Sequence, residues 1–410
     1  MKQSSYIAFY IMAFTIIFNL NGMLYMLVGI PQLITPVLIL CILVLTLNLY
    51  PSFLKGIGTL GKIYVCVILS YLVVGFIATI NSGEDLEVSY VVAYSISVLT
   101  VICVAAFTYM YYLEHGRDFI KILFYLVLFA TLSIPFSPLL LHIYKIPPAE
   151  ISRGFGFFAN PNEGGVLSVI GLGLLPAVKL PGYQKILYYF ILLTNTVLTF
   201  SKSSILLFAM VSCGAYFTSE AKVKFRYFFV IVIAFGIAVY AVPIIYDDLG
   251  IVQKRRIDQV LAIATQGEIN ADTTSSRSEL WEIGLDKIND HVLLGNGIGQ
   301  LHRMKGVAPS GIELGVHNVF LMFWGEAGIF VLSGFLFFCF AYLFNWITLL
   351  RVIPREILTV TLVSFVCLFI DMLAAHNVLN LRMHNLFLGF SLGCFAYYAQ
   401  LAKKEGLMQR

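Results

Sequence analysis

Long apolar runs recur along almost the whole chain, and this feature restricts the possible folds more than any other. Most runs extend over about 17 to 25 residues, the length with which an α-helix crosses about 30 Å of hydrocarbon. Lipid admits only helices or closed β-barrels, and runs such as FRYFFVIVIAFGIAVYAVPII lack the alternation of barrel strands. Because 60% of the residues are hydrophobic and only 12% are charged, the sequence predicts an all-α polytopic membrane protein.

The apolar runs predict about twelve transmembrane helices. Glycine and proline interrupt the first two, and the very long tenth is expected to bend between Gly325 and Gly334. The predicted spans are 6–22, 34–50, 62–80, 89–113, 118–141, 163–180, 184–200, 203–219, 226–245, 318–349, 356–374 and 384–402.

One long loop divides the predicted spans into two sets. Residues 1–245 hold helices one to nine, residues 246–317 form the loop, and residues 318–410 hold helices ten to twelve and a tail. Two amphipathic helices are expected in the loop, in IDQVLAIATQ and in SELWEIGLDKIND, and the second should begin at Ser275 or Ser276.

The distribution of Lys and Arg predicts the orientation, because short cytoplasmic loops carry an excess of both. Loops 23–33 and 81–88 contain neither and should face outward, as should the long loop 246–317. The alternate loops and both termini should face the cytoplasm; they contain Lys55, Lys62, Arg117, Lys121, Lys179, Lys185, Lys222, Lys224, Arg226, Arg351, Arg355, Lys403, Lys404 and Arg410.

Two outer connections carry cations against this bias, which an anionic ligand would explain. In RGFGFFANPNEGG, Arg153 precedes Asn160 and Asn162 at the start of a predicted span, where backbone amides and glycines suit an anion. A capped polar turn is the alternative interpretation. In FSKSS, Lys202 lies between serines, and the alternative is a lysine that extends to the lipid headgroups.

Two further motifs surround the long loop. In TTSSRSELW, Arg277 lies in the first turn of a predicted helix, where it opposes the helix dipole; a solvated charge is the alternative. In VHNVFLMFWGEAG, His317 and Asn318 open the tenth span, where a simple N-terminal polar residue is the alternative. The apolar helices also contain Glu326 and Asp371, and intramembrane carboxylates usually face a partner or a cavity.

Taken in order around one long outer loop, four stretches resemble the O-antigen ligase and O-antigen polymerase family of bacterial membrane glycosyltransferases. They are RGFGFFANPNEGG, TFSKSS, SSRSELWEIGLDKINDHVLLGNGIG and HNVFLMFWGEAG. The resemblance implies a bacterial inner-membrane enzyme with a periplasmic active site. It would transfer a glycan from undecaprenyl diphosphate with inversion, using neither a metal nor a cofactor.

The resemblance also implies roles for individual residues. Arg277 and His317 match residues that hold the lipid diphosphate and act in catalysis, whereas Lys202 stands where the family usually has arginine. The imidazole of His317 can accept the proton of an attacking sugar hydroxyl. The sequence is equally compatible with a role of His317 in orienting the acceptor sugar without proton transfer. We expect Arg153, Lys202, Arg277 and His317 to line one cavity; the predicted substrate contacts are Arg153, Lys202, Arg277, Asn160, Asn162 and Asn318.

The leading interpretation is a polymerase that extends a lipid-linked repeat unit of O-antigen or a related surface polysaccharide. The ligase, which joins the glycan to lipid A-core, is the alternative, although Val331 departs from the family's ligase pattern. A lipid-linked glycan flippase is the competing class. Transporters are often built from internal repeats, and the sequence shows no repeat of two six-span halves. The expected partners are the undecaprenyl-diphosphate-linked glycan, membrane lipid and a chain-length regulator or another assembly protein, without nucleic acid.

Overall fold

The computed structural model describes residues 1–30, 32–116, 118–144, 154–158, 160–218, 254, 258, 275–302, 304, 315–375 and 378–405. Within these residues the chain forms helices and no β-strand. This agrees with the all-α prediction. In lipid, an α-helix satisfies the hydrogen-bonding groups of its own backbone. The predicted span 226–245 and the predicted helix in IDQVLAIATQ lie outside the described residues.

The α-helices of the described residues are numbered here in chain order. They are α1 (Gln3–Ile17), α2 (Leu20–Val28), α3 (Thr35–Leu49), α4 (Phe53–Ser82), α5 (Val88–His115), α6 (Phe119–Thr131), α7 (Ser137–Tyr144), α8 (Pro161–Leu174), α9 (Gly182–Leu198), α10 (Lys202–Thr218), α11 (Ser275–Asp290), α12 (Val319–Thr348), α13 (Arg355–Ala374) and α14 (Arg382–Lys404).

Several of these helices are long and apolar enough to cross a membrane. Five helical stretches in the described part meet this condition, or six if α1 and α2, bent by 58°, form one span. The protein is therefore a helical membrane protein, while twelve spans and a periplasmic loop stay predictions. The predicted amphipathic helix before the tenth span is present as α11, and it begins at Ser275 as expected.

Glycine breaks two of the long helices. In α12, Gly328 adopts φ 82° and ψ 173°, inside the segment where the sequence predicted a bend. In α4, Gly58 adopts φ 58° and ψ −168°, a break that the sequence analysis did not predict. Residues with a Cβ rarely adopt such positive φ values. Glycine has no Cβ and therefore permits both breaks.

The chain divides into two compact units. The first comprises residues 1–13, 37–117 and 271–410, and within it α5 packs against α4 and α14 while α12 packs against α4. Its core contains stacked rings: Tyr71 on Phe323 and Phe323 on Phe335 each lie 4.6 Å apart between centroids.

The second unit comprises residues 14–36 and 118–270 and is built around α8. Helices α6, α9 and α10 all pack against α8, whose residues from Gly164 to Leu174 are buried on every side. A helix that is apolar all round is stable only when surrounded, so α8 is the centre of this unit.

Candidate functional site

In the second unit, the described part of RGFGFFANPNEGG is a fixed loop. The amides of Phe155 and Gly156 donate to Ser137 Oγ at 2.9 and 3.0 Å, and Phe157 donates to Ser133 Oγ at 3.0 Å. The Gly154 amide donates to the Leu198 carbonyl at 2.8 Å, near the end of α9. Arg153 itself lies outside the described residues. The loop is therefore tied, one residue after Arg153, to the helix that leads into FSKSS.

The two asparagines of this stretch form the start of α8. Asn160 is the N-cap, and its Oδ1 accepts a 2.9 Å hydrogen bond from the Asn162 amide after Pro161. Glu163 in the first turn accepts from Asn19 Nδ2 at 3.2 Å. The geometry agrees with the capped-turn interpretation, and contact of Asn160 and Asn162 with a substrate stays a prediction.

FSKSS forms the start of α10, with Lys202 as its first residue. Phe200 takes a left-handed φ of 48°, and the Ser201 hydroxyl accepts from the Ser204 amide at 3.4 Å and from its hydroxyl at 2.9 Å. A Cβ on Gly165 would lie 2.5 Å from Ser204 Oγ, so glycine allows α8 to approach α10 closely. The structure thus brings the starts of α8 and α10, each with one predicted motif, next to each other.

In the first unit, His317 lies between two anchored residues. The Val316 amide donates to the Leu301 carbonyl at 3.0 Å, and Asn318 Oδ1 caps α12 by accepting from the amides of residues 320 and 321. His317 is half-buried and has a left-handed φ of 49°. A non-glycine residue in this region is held there by its surroundings, and such residues cluster at functional sites.

Arg277 lies in the first turn of α11, as the sequence predicted. Its side chain lies outside the part of the chain that the structure describes. Arg277, His317 and Asn318 thus belong to the first unit, whereas Lys202, Asn160 and Asn162 belong to the second. A single cavity lined by these residues stays a prediction.

Glu326 has the partners that a carboxylate in an apolar helix requires. Its side chain is fully buried and accepts hydrogen bonds from the Tyr71 hydroxyl, the Leu301 amide at 2.9 Å and the His302 amide at 3.2 Å. His302 Nδ1 lies 2.9 Å from Glu326 Oε1. The sequence indicated that Glu326 needs a partner, but it did not identify His302; the glycine-rich stretch before that histidine was the available signal.

The LLGNGIGQLH segment folds onto the break in α12. The amides of Asn296 and Gly297 donate to the carbonyls of Gly325 and Glu326 at 2.7 and 3.1 Å. Three glycines of the segment have positive φ, from 80° to 106°. A Cβ on the first, Gly295, would lie 2.4 Å from the α12 backbone, so small residues are needed here. The segment therefore fixes His302 beside Glu326, close to the break in α12.

Asp371 also has a histidine partner. His384 Nε2 lies 2.9 Å from Asp371 Oδ2, and His384 is 2% exposed. The sequence alone did not identify His384 as this partner. Both intramembrane carboxylates thus face histidines, as the general expectation for such groups requires.

Residues 187–336, from within α9 into α12, match a family model described as O-antigen ligase. The matched range contains Lys202, Arg277, His317 and Glu326, and it ends before α13. No curated protein matches the chain.

Proposed function

We propose that the chain, of which residues 187–336 match the O-antigen ligase family model, is an O-antigen polymerase. Its donor would be a glycan on undecaprenyl diphosphate, and its acceptor the terminal sugar of another lipid-linked repeat unit. The reaction would occur at the periplasmic face of the bacterial inner membrane. A related surface polysaccharide, rather than O-antigen itself, is included in this proposal.

The main observation in support of the proposal is that the N-terminal ends of α8 and α10 lie close together. Lys202 is the first residue of α10, and the first-turn amides of a helix carry partial positive charge. A lysine and a helix N-terminus together favour an anion, and the diphosphate gains negative charge as its glycosyl bond breaks. Arg153 directly precedes Gly154, whose amide donates a hydrogen bond to the Leu198 carbonyl. Arg153 is proposed to contact the same diphosphate or its glycan.

His317 and Arg277 are proposed to complete the site. The acceptor hydroxyl would attack the anomeric carbon, and the bond from that carbon to the diphosphate oxygen would break with its electron pair leaving on the phosphate. Attack from the opposite face inverts the configuration. His317 would take the hydroxyl proton, and Arg277 would bind phosphate oxygens in pairs, which a guanidinium does better than an ammonium. The bond to diphosphate already holds the energy for this step, so the proposal requires no metal.

A polymerase and a ligase differ in the acceptor that receives the glycan. The two share the donor chemistry, and Val331, which is buried in α12, departs from the family's ligase pattern. A deletion strain decides between them. Lipid A-core capped with one repeat unit is expected for a lost polymerase, whereas bare cores with accumulated lipid-linked polymer would identify a ligase and refute the polymerase.

Variants of Lys202 test the proposed donor site in the complemented deletion strain. Lys202→Ala should reduce polymer by at least about tenfold, the effect of losing about 1.4 kcal/mol of transition-state stabilisation. Lys202→Arg, which restores the family's usual residue, should keep most of the activity. Lys179→Ala, which removes an exposed lysine of the second unit, is the matched control. Equal polymer from Lys202→Ala and Lys179→Ala at equal protein levels would exclude Lys202 from the site.

A further inference from the structure

A cavity of about 220 Å³ lies within the first unit, where α4, α12 and α14 meet. Two lysines from different helices, Lys55 and Lys403, contribute to its wall together with the amide side chains of Asn345 and Gln400. The rest of the wall is mainly apolar, as Leu60 and Phe395 illustrate. The cavity shares no residue with the candidate site described above.

The positive charge of this wall, from Lys55 and Lys403, has no carboxylate ion-pair partner in the described part of the chain. Two positively charged side chains line one small cavity, and an anion bound there would be attracted to both. The electrostatics of the cavity therefore favour a negatively charged ligand.

The polar groups beside the lysines are arranged to donate. The Tyr109 hydroxyl donates to Gln400 Oε1, which leaves the amide nitrogen as the group of Gln400 that can donate to a ligand. Lysine ammonium groups have donors and no acceptor. Phosphate oxygens, which are acceptors, match this set.

The break in α4 shapes the cavity. Gly58 lies in the wall with φ 58°, and a Cβ there would lie 3.3 Å from the Ala396 methyl group on α14. Glycine thus permits both the conformation of the backbone and its close approach to α14. The break turns α4 only a few residues after Lys55, and Lys403 lies in the last turn of α14.

Exposed apolar side chains lie close in sequence to the lining residues Lys55 and Asn345. Leu54 next to Lys55 is 69% exposed, and Phe344 and Ile347 beside Asn345 are 69% and 57% exposed. In a membrane helix such side chains face lipid tails. Both lysines also belong to the loops that the positive-inside count assigns to the cytoplasm. A phosphate group with attached acyl chains fits this combination of cationic cavity and exposed apolar side chains.

We propose that this cavity binds the phosphate headgroup of an anionic diacyl lipid from the cytoplasmic leaflet. Lys55 and Lys403 hold the phosphate, the amides of Asn345 and Gln400 contact the rest of the headgroup, and the acyl chains lie along α4 and α12. Basic pockets between transmembrane helices bind anionic headgroups in this way. The proposal does not depend on the reaction that the protein catalyses.

Lipid titration of the purified full-length protein, followed by native mass spectrometry, tests the proposal. Phosphatidylglycerol should bind more tightly than zwitterionic phosphatidylcholine. The Lys55→Ala/Lys403→Ala variant should bind phosphatidylglycerol about 25-fold more weakly, from about fivefold for each lysine. Lys62→Ala/Lys404→Ala is the matched control, because it removes two exposed lysines of the same helices that do not line the cavity.

Three outcomes would overturn the proposal. One is equal affinity of the wild type and the Lys55/Lys403 variant for phosphatidylglycerol. Another is an equal loss in the Lys62/Lys404 control, which would mean a general charge effect. The third is displacement of phosphatidylglycerol by inorganic phosphate at equal concentration, which would identify a free-anion site instead of a lipid site.

Discussion

Glu326→Ala removes the acceptor of four hydrogen bonds in the interior of the first unit. Their donors are the Tyr71 hydroxyl, the amides of Leu301 and His302, and His302 Nδ1. A buried donor without an acceptor costs about 1–3 kcal/mol, so four donors at the lower value give about 4 kcal/mol. We therefore expect the free energy of unfolding to fall by about 4 kcal/mol.

Glu326→Gln separates hydrogen bonding from charge. The amide oxygen can still accept from the backbone amides, and the amide nitrogen can donate to the Tyr71 oxygen. Hydrogen bonds to a charged group contribute more than neutral ones, so a smaller loss of about 1–2 kcal/mol is expected. The order of stability should be wild type, glutamine variant, alanine variant.

Denaturant unfolding in detergent micelles, followed by tryptophan fluorescence, measures this order. Trp324 is a suitable reporter, because its indole donates to the Val292 carbonyl at 3.3 Å beside the same network. Glu282→Ala, which removes an exposed glutamate of α11, is the control and should leave the midpoint unchanged. Stability of the Glu326→Ala protein equal to that control would refute the reasoning, and so would a glutamine variant as unstable as the alanine variant.

Three further predictions concern backbone geometry and helix capping. Gly328→Ala should destabilise the protein by at least about 2 kcal/mol in thermal unfolding, because φ is 82° and the added Cβ would lie 1.9 Å from the Leu293 carbonyl. The control is Gly334→Ala on the same helix, whose added Cβ meets only an ordinary 3.6 Å contact. This control should match the wild type. Asn318→Ala removes the cap of α12 and should cost about 1 kcal/mol by the same measurement, whereas an aspartate at that position should restore stability. Gly165→Ala should force α8 away from α10, lowering stability by about 1–3 kcal/mol and reducing surface polymer; unchanged polymer and stability would contradict the close approach of these two helix starts.

The parts of the site that the sequence predicted are those with a local cause. The bend in α12 follows from glycines inside one apolar run, and Gly328 is where it occurs. The start of α11 follows from a serine pair before an amphipathic pattern. The need of Glu326 for a partner follows from the energy of a carboxylate in an apolar helix. Each of these signals lies within a few residues of the feature that it predicts.

The parts that the sequence did not predict depend on residues far apart in the chain. Nothing near Ser133 and Ser137 indicates that their hydroxyls hold the amides of residues 155–157. The break at Gly58 was missed because residues 51–61 were predicted to connect two spans, whereas the helix already begins at Phe53 and packs at Gly58 against Ala396.

The sequence by itself determined that this chain forms apolar helices in a membrane, because lipid leaves an unbroken apolar run no other way to satisfy its backbone. The match of residues 187–336 to the O-antigen ligase family model likewise rests on the sequence alone. Only the tertiary structure decided which polar groups meet. Tyr71 and Glu326 are separated by 255 residues, and packing of α4 against α12 brings them into contact. Such pairs depend on which helix faces lie against each other, and no local pattern specifies that choice.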